Sequence, residues 1–109
     1  MTIEKFTELA MSFPGTVEAP HFDRAAFKVE KKRIFATLHK ASKTANLKLP
    51  EIQQSVFCEV DQTSIYPVPN KWGLQGWTTF ELGRLSEDIL LEALDAAYQD
   101  VFKPKKNRG

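Results

Sequence analysis

Apolar residues recur at helical spacing near both ends of the chain. The first set follows Thr2, a residue type that favours helix starts, and comprises Ile3, Phe6, Leu9, Ala10 and Phe13. Intervals of three and four residues place such a set on one side of a helix. The pattern predicts a helix over about residues 3–12, ended by Pro14 and Gly15, which cannot continue it.

The second set lies near the C-terminus and predicts a longer helix. Ser86 is suited to cap its start, and Lys103-Pro104 is suited to end it. The apolar stripe between them comprises Leu90, Leu91, Leu94, Ala97, Tyr98 and Val101. We expect Leu94 and Tyr98 to be buried against the rest of the fold.

Between these helices, apolar and polar positions alternate, as they do in strands with one buried face. The alternation predicts five strands, over residues 25–29, 33–39, 45–49, 65–68 and 77–82. Pro50 suits the first turn of a further helix. The apolar side of that helix comprises Ile52, Val56 and Phe57. Residues 16–23 are interpreted as irregular or extended, because Pro20 interrupts them.

The predicted order of elements is α-β3-α-β2-α, with no helix between the first three strands. This order favours an antiparallel five-stranded sheet with helices packed on it, which is an α+β fold. A length of 109 residues suits one domain. We expect that domain to occupy residues 1–103 and residues 104–109 to form a flexible basic tail.

The stretch Tyr66–Thr78 contains both tryptophans, two of the six prolines and two of the five glycines. Its prolines favour extended backbone, whereas Gly73 and Gly76 permit a tight loop over residues 69–76, which we call the Trp-Gly loop. Trp77 lies on a predicted strand, and we expect its indole in the core. For Trp72, within the loop, the pattern leaves open whether the indole faces a partner or packs against the final helix.

Composition excludes several classes of protein. The single cysteine, Cys58, rules out an intramolecular disulfide and a four-cysteine zinc site. Its neighbour Phe57 indicates a packed thiol and not a reactive one. No apolar run reaches the length of about 20 residues that spans a bilayer. The N-terminus has a helical pattern without the apolar region of a signal peptide, so we expect a cytoplasmic protein.

Charge is unevenly distributed, although the net charge is only +1. Residues 24–48 carry eight basic residues and one acidic residue, whereas residues 49–102 carry two basic and nine acidic residues. We expect the lysines of the basic block to form one positive surface, distinct from the acidic final helix.

The histidines and carboxylates form no recognised catalytic or metal-binding pattern. His21, His39 and Asp23 have the chemistry for acid–base catalysis, but no clustered ligand set and no activated nucleophile accompanies them. We expect a structural or capping role for His21. The sequence therefore predicts a protein that is not an enzyme and has no catalytic residue, no metal and no cofactor.

Short motifs in a fixed order resemble those of the MmcQ/YjbR family. They are Phe13-Pro14-Gly15, Pro20-His21-Phe22, Ala26–Val29, Lys32–Ala36, Leu47–Leu49, Pro67–Gly73, Gly76–Thr78 and Ala97-Tyr98. The likeness covers residues 6–103 and is strongest over Pro67–Thr78. That family is described as having a double-wing type of DNA-binding fold. The resemblance therefore implies the α-β3-α-β2-α arrangement and a DNA-binding function.

Two loops are the candidate wings. The first is the basic hairpin Lys28–Lys32 with Arg33, whose lysines suit contacts with phosphates. The second is the Trp-Gly loop, whose amide and indole groups suit contacts with bases. The predicted nucleic-acid-binding residues are Lys28, Lys31, Lys32, Arg33, Lys40, Lys43, Asn70, Lys71, Trp72 and Gln75. The expected partner is duplex DNA, bound weakly, with no membrane association and with a monomeric protein favoured.

Two other interpretations stay open. The hairpin could be a solvated tip, where lysine is common and discourages pairing between sheet edges. Alternatively, the Trp-Gly loop and the sheet face beneath it could bind another protein or a small ligand.

Overall fold

A six-stranded antiparallel sheet forms the centre of the fold, and the helices pack on one of its faces. The computed structural model describes residues 1–103. The strands are β1 (Thr16–His21), β2 (Arg24–Val29), β3 (Ile34–His39), β4 (Thr44–Lys48), β5 (Ile65–Pro67) and β6 (Trp77–Glu81). The helices are α1 (Ile3–Met11), α2 (Glu51–Val60), α3 (Lys71–Leu74) and α4 (Glu87–Val101), with a 3-10 turn at Leu82–Arg84. In space the strands follow the order β1-β2-β3-β4-β6-β5.

The predicted basic tail, residues 104–109, lies outside the described residues. Within residues 1–103, no helix has both the length and the apolar character needed to span a membrane.

The predicted α+β class and antiparallel sheet are confirmed, but the sheet has six strands and not five. The additional strand is β1, in which Pro20 pairs with Ala25 of β2. β1 is an edge strand, where a proline can occupy a position whose missing N–H faces no neighbour. The prediction treats Pro20 as an interruption, which would be correct only for a central strand.

The core lies between the sheet and the helices α1, α2 and α4. The largest sheet residues that point toward these helices are fully buried, namely Phe27, Phe35, Leu38, Leu47 and Phe80. From α4, Leu94 and Tyr98 enter the same layer with exposed fractions of 0% and 8%, which confirms the prediction for both. The Tyr98 hydroxyl donates to the carbonyl oxygen of Pro14 at 2.6 Å, so it also ties α4 to the turn after α1.

Helix α2 presents a different side to the core from the predicted one. Phe57 is buried and makes an edge-to-face contact with Phe80. Ile52 and Val56, which the apolar pattern assigns to the same side, are exposed. Five residues turn a helix through about 500°, which leaves Ile52 roughly 140° from Phe57. The three residues therefore cannot face the core together.

No helix covers the other face of the sheet within the described part of the chain, and we call it the open face. Its side chains include Arg24, Lys28, Ile34, Thr37, Asn46, Lys48, Trp77 and Thr79. Trp77 is among them, since it pairs with Lys48 and is only half-buried. The prediction of a core position for Trp77 is therefore wrong. Strand side chains alternate between faces, and Thr78 and Phe80 take the core side of β6.

The register assigns each loop to one end of the sheet. The β2–β3 hairpin tip, residues 30–33, and the Trp-Gly loop lie at the same end, which we call the wing end. The β1–β2 turn and the β3–β4 turn, residues 40–43, lie at the opposite end. The open face connects the two ends.

Candidate binding site at the wing end and on the open face

Both predicted wings present exposed side chains at the wing end. Lys31 and Lys32 are exposed at the hairpin tip, and Lys71 and Trp72 are exposed in the Trp-Gly loop. Only β4 separates β3 from β6 in the sheet. At about 4.8 Å per strand, β3 and β6, the nearest strands that adjoin the two loops, are therefore roughly 10 Å apart. The fold brings together two segments that are about forty residues apart in the chain.

Two further lysines lie on the open face next to the wing end. Lys28 of β2 pairs with Ile34, and Lys48 of β4 pairs with Trp77. Lys48 is not among the predicted binding residues. Its ammonium nitrogen is 3.8 Å from a carboxylate oxygen of Asp100, a separation typical of a loose ion pair. The lysine charge is therefore only partly compensated.

Lys40 and Lys43 lie in the β3–β4 turn, at the opposite end of the sheet. They are separated from Lys31 and Lys32 by β3, which has six residues. Six extended residues span about 20 Å. The prediction that the basic block forms one positive surface is therefore wrong, and Lys40 and Lys43 do not belong to the wing end.

Arg33 is at the wing end but has a structural partner. One nitrogen of its guanidinium, Nη2, is 3.1 Å from the carbonyl oxygen of Asp100 and 3.3 Å from that of Val101. These carbonyls belong to the last turn of α4, where the helix dipole favours a cation. Arg33 thus caps α4. Lys32 lies nearby, with its ammonium 5.5 Å above the Phe102 ring.

Within the Trp-Gly loop, the predicted residues divide into structural and exposed ones. The side-chain oxygen of Asn70 accepts a hydrogen bond from the Trp72 backbone N–H at 2.8 Å, which caps the short helix α3. Lys71 and Gln75 are exposed. Asn70 therefore shapes the loop, whereas Lys71, Trp72 and Gln75 are accessible to a partner.

Gln54 of α2 anchors this loop, and sequence reasoning missed it. Its Nε2 group donates to the carbonyl oxygens of Gly73 and Trp77 at 3.0 and 3.3 Å, and to the Thr78 hydroxyl at 3.0 Å. A glutamine inside an amphipathic helix gives no local signal for such a role. The contact depends on how α2 packs against the end of β6.

The two loop glycines allow backbone segments to approach closely. A Cβ atom added to Gly73 would be 2.0 Å from the carbonyl oxygen of Val68, and one added to Gly76 would be 2.0 Å from that of Leu49. Gly76 also has a φ of +108°, which disfavours any side chain. The loop is therefore held tightly against its neighbours on both sides.

A groove of about 390 Å³ runs across the open face from the wing end. It is lined by His21, Arg24, Ile34, Thr37, Asn46, Val68, Trp72 and Trp77. The two indoles come from different elements, with Trp77 on the strand β6 and Trp72 on the Trp-Gly loop. Trp72 keeps 53% of its surface exposed. The sequence pattern leaves open whether this indole faces a partner or packs against the final helix, and the structure places it at the surface.

Arg24 brings a formal positive charge to this groove. It is not among the binding residues predicted from the sequence. Its Nη1 atom is buried, and within the described residues it has no hydrogen-bond partner. Buried donors of this kind are uncommon in folded proteins. Sequence position offers no signal for this environment, because the groove is assembled from strands that are distant in the chain.

A comparison of the chain with models of protein families identifies its family. A family model described as YjbR matches residues 11–100. The chain belongs to the YjbR family. This result confirms the resemblance that the motifs indicate.

The fold of this YjbR-family chain also occurs in a solved structure. A crystal structure of a Deinococcus radiodurans protein with a DUF419 domain aligns with a TM-score of 0.80 and 23% identity, covering 98% of this chain and 83% of that chain. A likeness at this level of identity demonstrates the fold alone. No curated protein matches the chain.

A chain of hydrogen bonds involving His39 lies at the opposite end of this YjbR-family fold. The Nε2 atom of His39 is 2.9 Å from an Asp23 carboxylate oxygen, and its Nδ1 atom is 2.6 Å from the Ser42 hydroxyl oxygen. Asp23 and Ser42 are both exposed in turns. The arrangement joins the β1–β2 turn to the β3–β4 turn, and neither the groove nor the wing end includes it.

His21 does not cap a helix, contrary to the predicted alternative of a capping role. It is exposed at the edge of the groove, where its ring packs edge-on against Phe22. The thiol of Cys58 packs against the core, and burial raises the pKa of that thiol. Within residues 1–103, no group of three possible ligands is positioned to hold a metal ion.

Proposed function

We propose that this YjbR-family protein binds duplex DNA through the wing end of its sheet. The observation that carries the proposal is the strand register, which brings the basic hairpin tip and the Trp-Gly loop to the same end. The nearest strands that adjoin these loops, β3 and β6, are roughly 10 Å apart, which is close to the width of about 12 Å of a DNA major groove. Each loop can therefore contact one of the two backbones that border the groove.

The charge distribution supports this orientation. The lysines at or near the wing end are Lys28, Lys31, Lys32, Lys48 and Lys71. The exposed acidic residues of α4 lie on the helix side of the sheet and comprise Glu87, Asp88, Glu92 and Asp95. On the open face, the carboxylate of Glu81 accepts a hydrogen bond from the Tyr66 hydroxyl at 2.6 Å, and this bond raises the pKa of Tyr66. A polyanion is attracted to the wing end and repelled by α4.

The exposed residues at the wing end have distinct expected contacts. Lys31, Lys32 and Lys71 contact phosphates, which supply most of the sequence-independent affinity. Trp72 stacks on or wedges between bases, and Gln75 reaches base edges or sugars. Lys40 and Lys43 take no part, because they lie at the other end of β3. The small number of phosphate contacts implies weak binding, with a salt dependence of only about one unit of slope for each contact.

A matched pair of double variants tests the proposal. Fluorescence anisotropy of a labelled duplex is measured over a range of salt for Lys31→Ala/Lys32→Ala and for Lys40→Ala/Lys43→Ala. Both variants remove the same charge, so an effect of net charge alone is equal in the two. We expect only the hairpin variant to weaken binding, and to flatten the salt dependence by about one unit of slope for each phosphate that the variant no longer touches. Equal weakening by both, or no duplex binding at about 50 mM salt, would overturn the proposal.

A second pair of variants separates stacking from electrostatics. Trp72→Ala is compared with Leu74→Ala, since Leu74 is 87% exposed in the same loop. Stacking between a base and an indole depends little on salt. We expect Trp72→Ala to lower duplex affinity with an unchanged salt slope, and Leu74→Ala to leave affinity unchanged. Equal decreases in affinity would mean that the loop acts only through its apolar surface.

A further inference from the structure

We propose that the groove on the open face is a binding site for a small planar aromatic molecule that carries an anionic group, with a nucleoside monophosphate as the simplest example. This inference does not require DNA binding at the wing end. It rests on the side chains that line the groove, which differ from those assigned to phosphate contacts at the hairpin tip.

The walls of the groove suit a flat, apolar ring system. Trp77 and Trp72 approach from a strand and from a loop, and Ile34 and Val68 add aliphatic surface. Aromatic rings stack favourably on indole faces, and this preference holds for many ring systems. The volume of about 390 Å³ is within the usual range of small-molecule sites.

Arg24 specifies the charge of the ligand. Its Nη1 atom is buried and has no hydrogen-bond partner within the described residues, so this one nitrogen of the guanidinium is desolvated without a hydrogen bond in return. No acidic side chain of the described chain lines the groove. A carboxylate or phosphate next to Arg24 would supply both the missing acceptor and the opposite charge. Thr37 and Asn46 add polar groups that suit the edge of a ring or a sugar.

The groove combines rigid and adjustable parts. Trp77 is held by the pairing of β6 with β4, and the Trp-Gly loop is held by Gln54 and by its two close glycine contacts. The Trp72 side chain is the exception, because about half of its surface is exposed. We expect a ligand to enter by displacing the Trp72 indole and to be stacked between it and Trp77.

Three probes separate the two parts of this chemistry. Adenosine 5′-monophosphate has a ring and an anion, adenosine has only the ring, and ribose 5-phosphate has only the anion. Calorimetry measures their affinities, and quenching of the fluorescence of the two tryptophans reports occupancy of the groove. We expect the monophosphate to bind at least tenfold more tightly than either fragment. Failure of the monophosphate to bind at millimolar concentration overturns the proposal.

Two variants assign the contacts, with Lys43→Met as the control for removal of one positive charge far from the groove. Arg24→Met should reduce monophosphate binding at least tenfold and leave adenosine binding unchanged. It should also leave the melting temperature unchanged or raise it, because it removes a buried donor that lacks a partner. A lower melting temperature with equally weakened binding of both probes would indicate a structural role for Arg24 and would overturn the proposal. Trp72→Ala should weaken monophosphate and adenosine alike.

Two measurements complete the test. The hairpin variant shows whether this site is separate from the wing end, and a competition experiment identifies the source of the ligand. The variant Lys31→Ala/Lys32→Ala should bind the monophosphate as tightly as the unaltered protein does. The groove can therefore be tested even if the protein does not bind duplex DNA. A single-stranded oligonucleotide is then titrated against bound monophosphate. Displacement means that the groove also accepts a nucleotide within a strand, and absence of displacement means that it accepts the free molecule. Loss of monophosphate binding in the hairpin variant would overturn a separate groove site.

Discussion

The side-chain amide of Gln54 in α2 donates to the hydroxyl of Thr78 in β6 at 3.0 Å. The same nitrogen faces two carbonyl oxygens, and carbonyls can only accept, so the orientation of the amide is determined by its surroundings. The Thr78 hydroxyl in turn donates to the carbonyl oxygen of Gly76 at 3.0 Å. One polar side chain of α2 thus connects the helix to Gly73 within the Trp-Gly loop and to the start of β6, which follows the loop.

The first prediction concerns this anchor. Gln54→Glu keeps the shape of the side chain but turns a donor into an acceptor that faces two carbonyls. We expect a decrease of about 1–3 kcal/mol in the free energy of unfolding, the usual cost of unsatisfied buried polar groups. Gln53→Glu is the control, because Gln53 is exposed on the same turn of α2. Urea denaturation measures both variants, and equal free energies of unfolding for the two would contradict the anchoring role.

The second prediction concerns the close approach of the loop backbone. Gly73→Ala and Gly76→Ala each introduce a Cβ atom 2.0 Å from a carbonyl oxygen, a distance that the backbone must relieve by moving. We expect each to destabilise the fold by about 3 kcal/mol, near the upper end of the usual range for overpacking. Gly83→Ala should have little effect, since no atom lies within 4 Å of its added Cβ. Thermal unfolding distinguishes the three variants. A Gly83→Ala effect as large as the others would mean that steric contact is not the cause.

The third prediction concerns the packing of α4 on the sheet. Leu94 is fully buried, whereas Leu91, three residues earlier, is 44% exposed. Leu94→Ala should lower the free energy of unfolding by about 2–5 kcal/mol, the range for a buried leucine. Leu91→Ala should lower it by much less, because less apolar surface is removed from a packed environment. Similar decreases at both positions would show that α4 does not present the side described here to the core.

The fourth prediction separates structural from binding roles among the basic residues. Arg33→Ala removes the two hydrogen bonds that cap α4 and should cost about 0.5–1 kcal/mol, a typical value for a cation at a helix C-terminus. Its effect on the salt slope of duplex binding should be no greater than that of Lys43→Ala. A reduction in slope as large as that of a hairpin lysine would instead show that Arg33 contacts phosphate.

The fifth prediction concerns acid stability. Bonds from the Thr63 and Ser64 hydroxyls and from the Thr63 N–H hold the pKa of Asp61 below its usual value. A carboxyl whose pKa is lower in the folded protein than in the unfolded chain stabilises the fold above the unfolded pKa. That stabilisation is lost as pH falls through the folded pKa.

We therefore expect the unaltered protein to be more stable than Asp61→Asn near neutral pH, and this difference to shrink below about pH 4, the usual value for aspartate. Urea midpoints measured for both proteins from neutral to acid pH check it. A difference that stays constant down to about pH 2 would contradict a role for the charged carboxylate.

Several features of the fold could be predicted from the sequence because their causes are local. The apolar stripe from Leu90 to Val101 and the cap at Ser86 predict α4, and that helix is present as Glu87–Val101. The strand β1 could not be predicted in the same way. Whether Pro20 is tolerated depends on the strand being at the edge of the sheet, and the position of a strand in a sheet is not a local property.

The position of Trp77 is an intermediate case. Trp77 and Phe80 are three residues apart in the same strand, so their side chains point to opposite faces of the sheet. Phe80 is among the largest apolar residues of that strand, so alternation assigns Phe80 to the core and Trp77 to the other face. The expectation of a core position for Trp77 used its size and apolar character and not this alternation. Gln54 and Arg24 had no comparable signal. The environment of each is made by elements that are distant in the chain.

The sequence by itself determined where α1, α2, α4 and the strands other than β1 form, and where the chain can turn sharply, because those properties depend on side-chain spacing and on glycine and proline within a few residues. It also determined the family. Only the tertiary structure decided which basic residues share a surface. Antiparallel pairing sends successive turns to opposite ends of the sheet, so Lys31 and Lys43 separate while Lys31 and Lys71 come to the same end. The groove around Arg24 likewise exists only because strand order brings β2, β3, β4 and β6 side by side, an outcome of packing that no local pattern encodes.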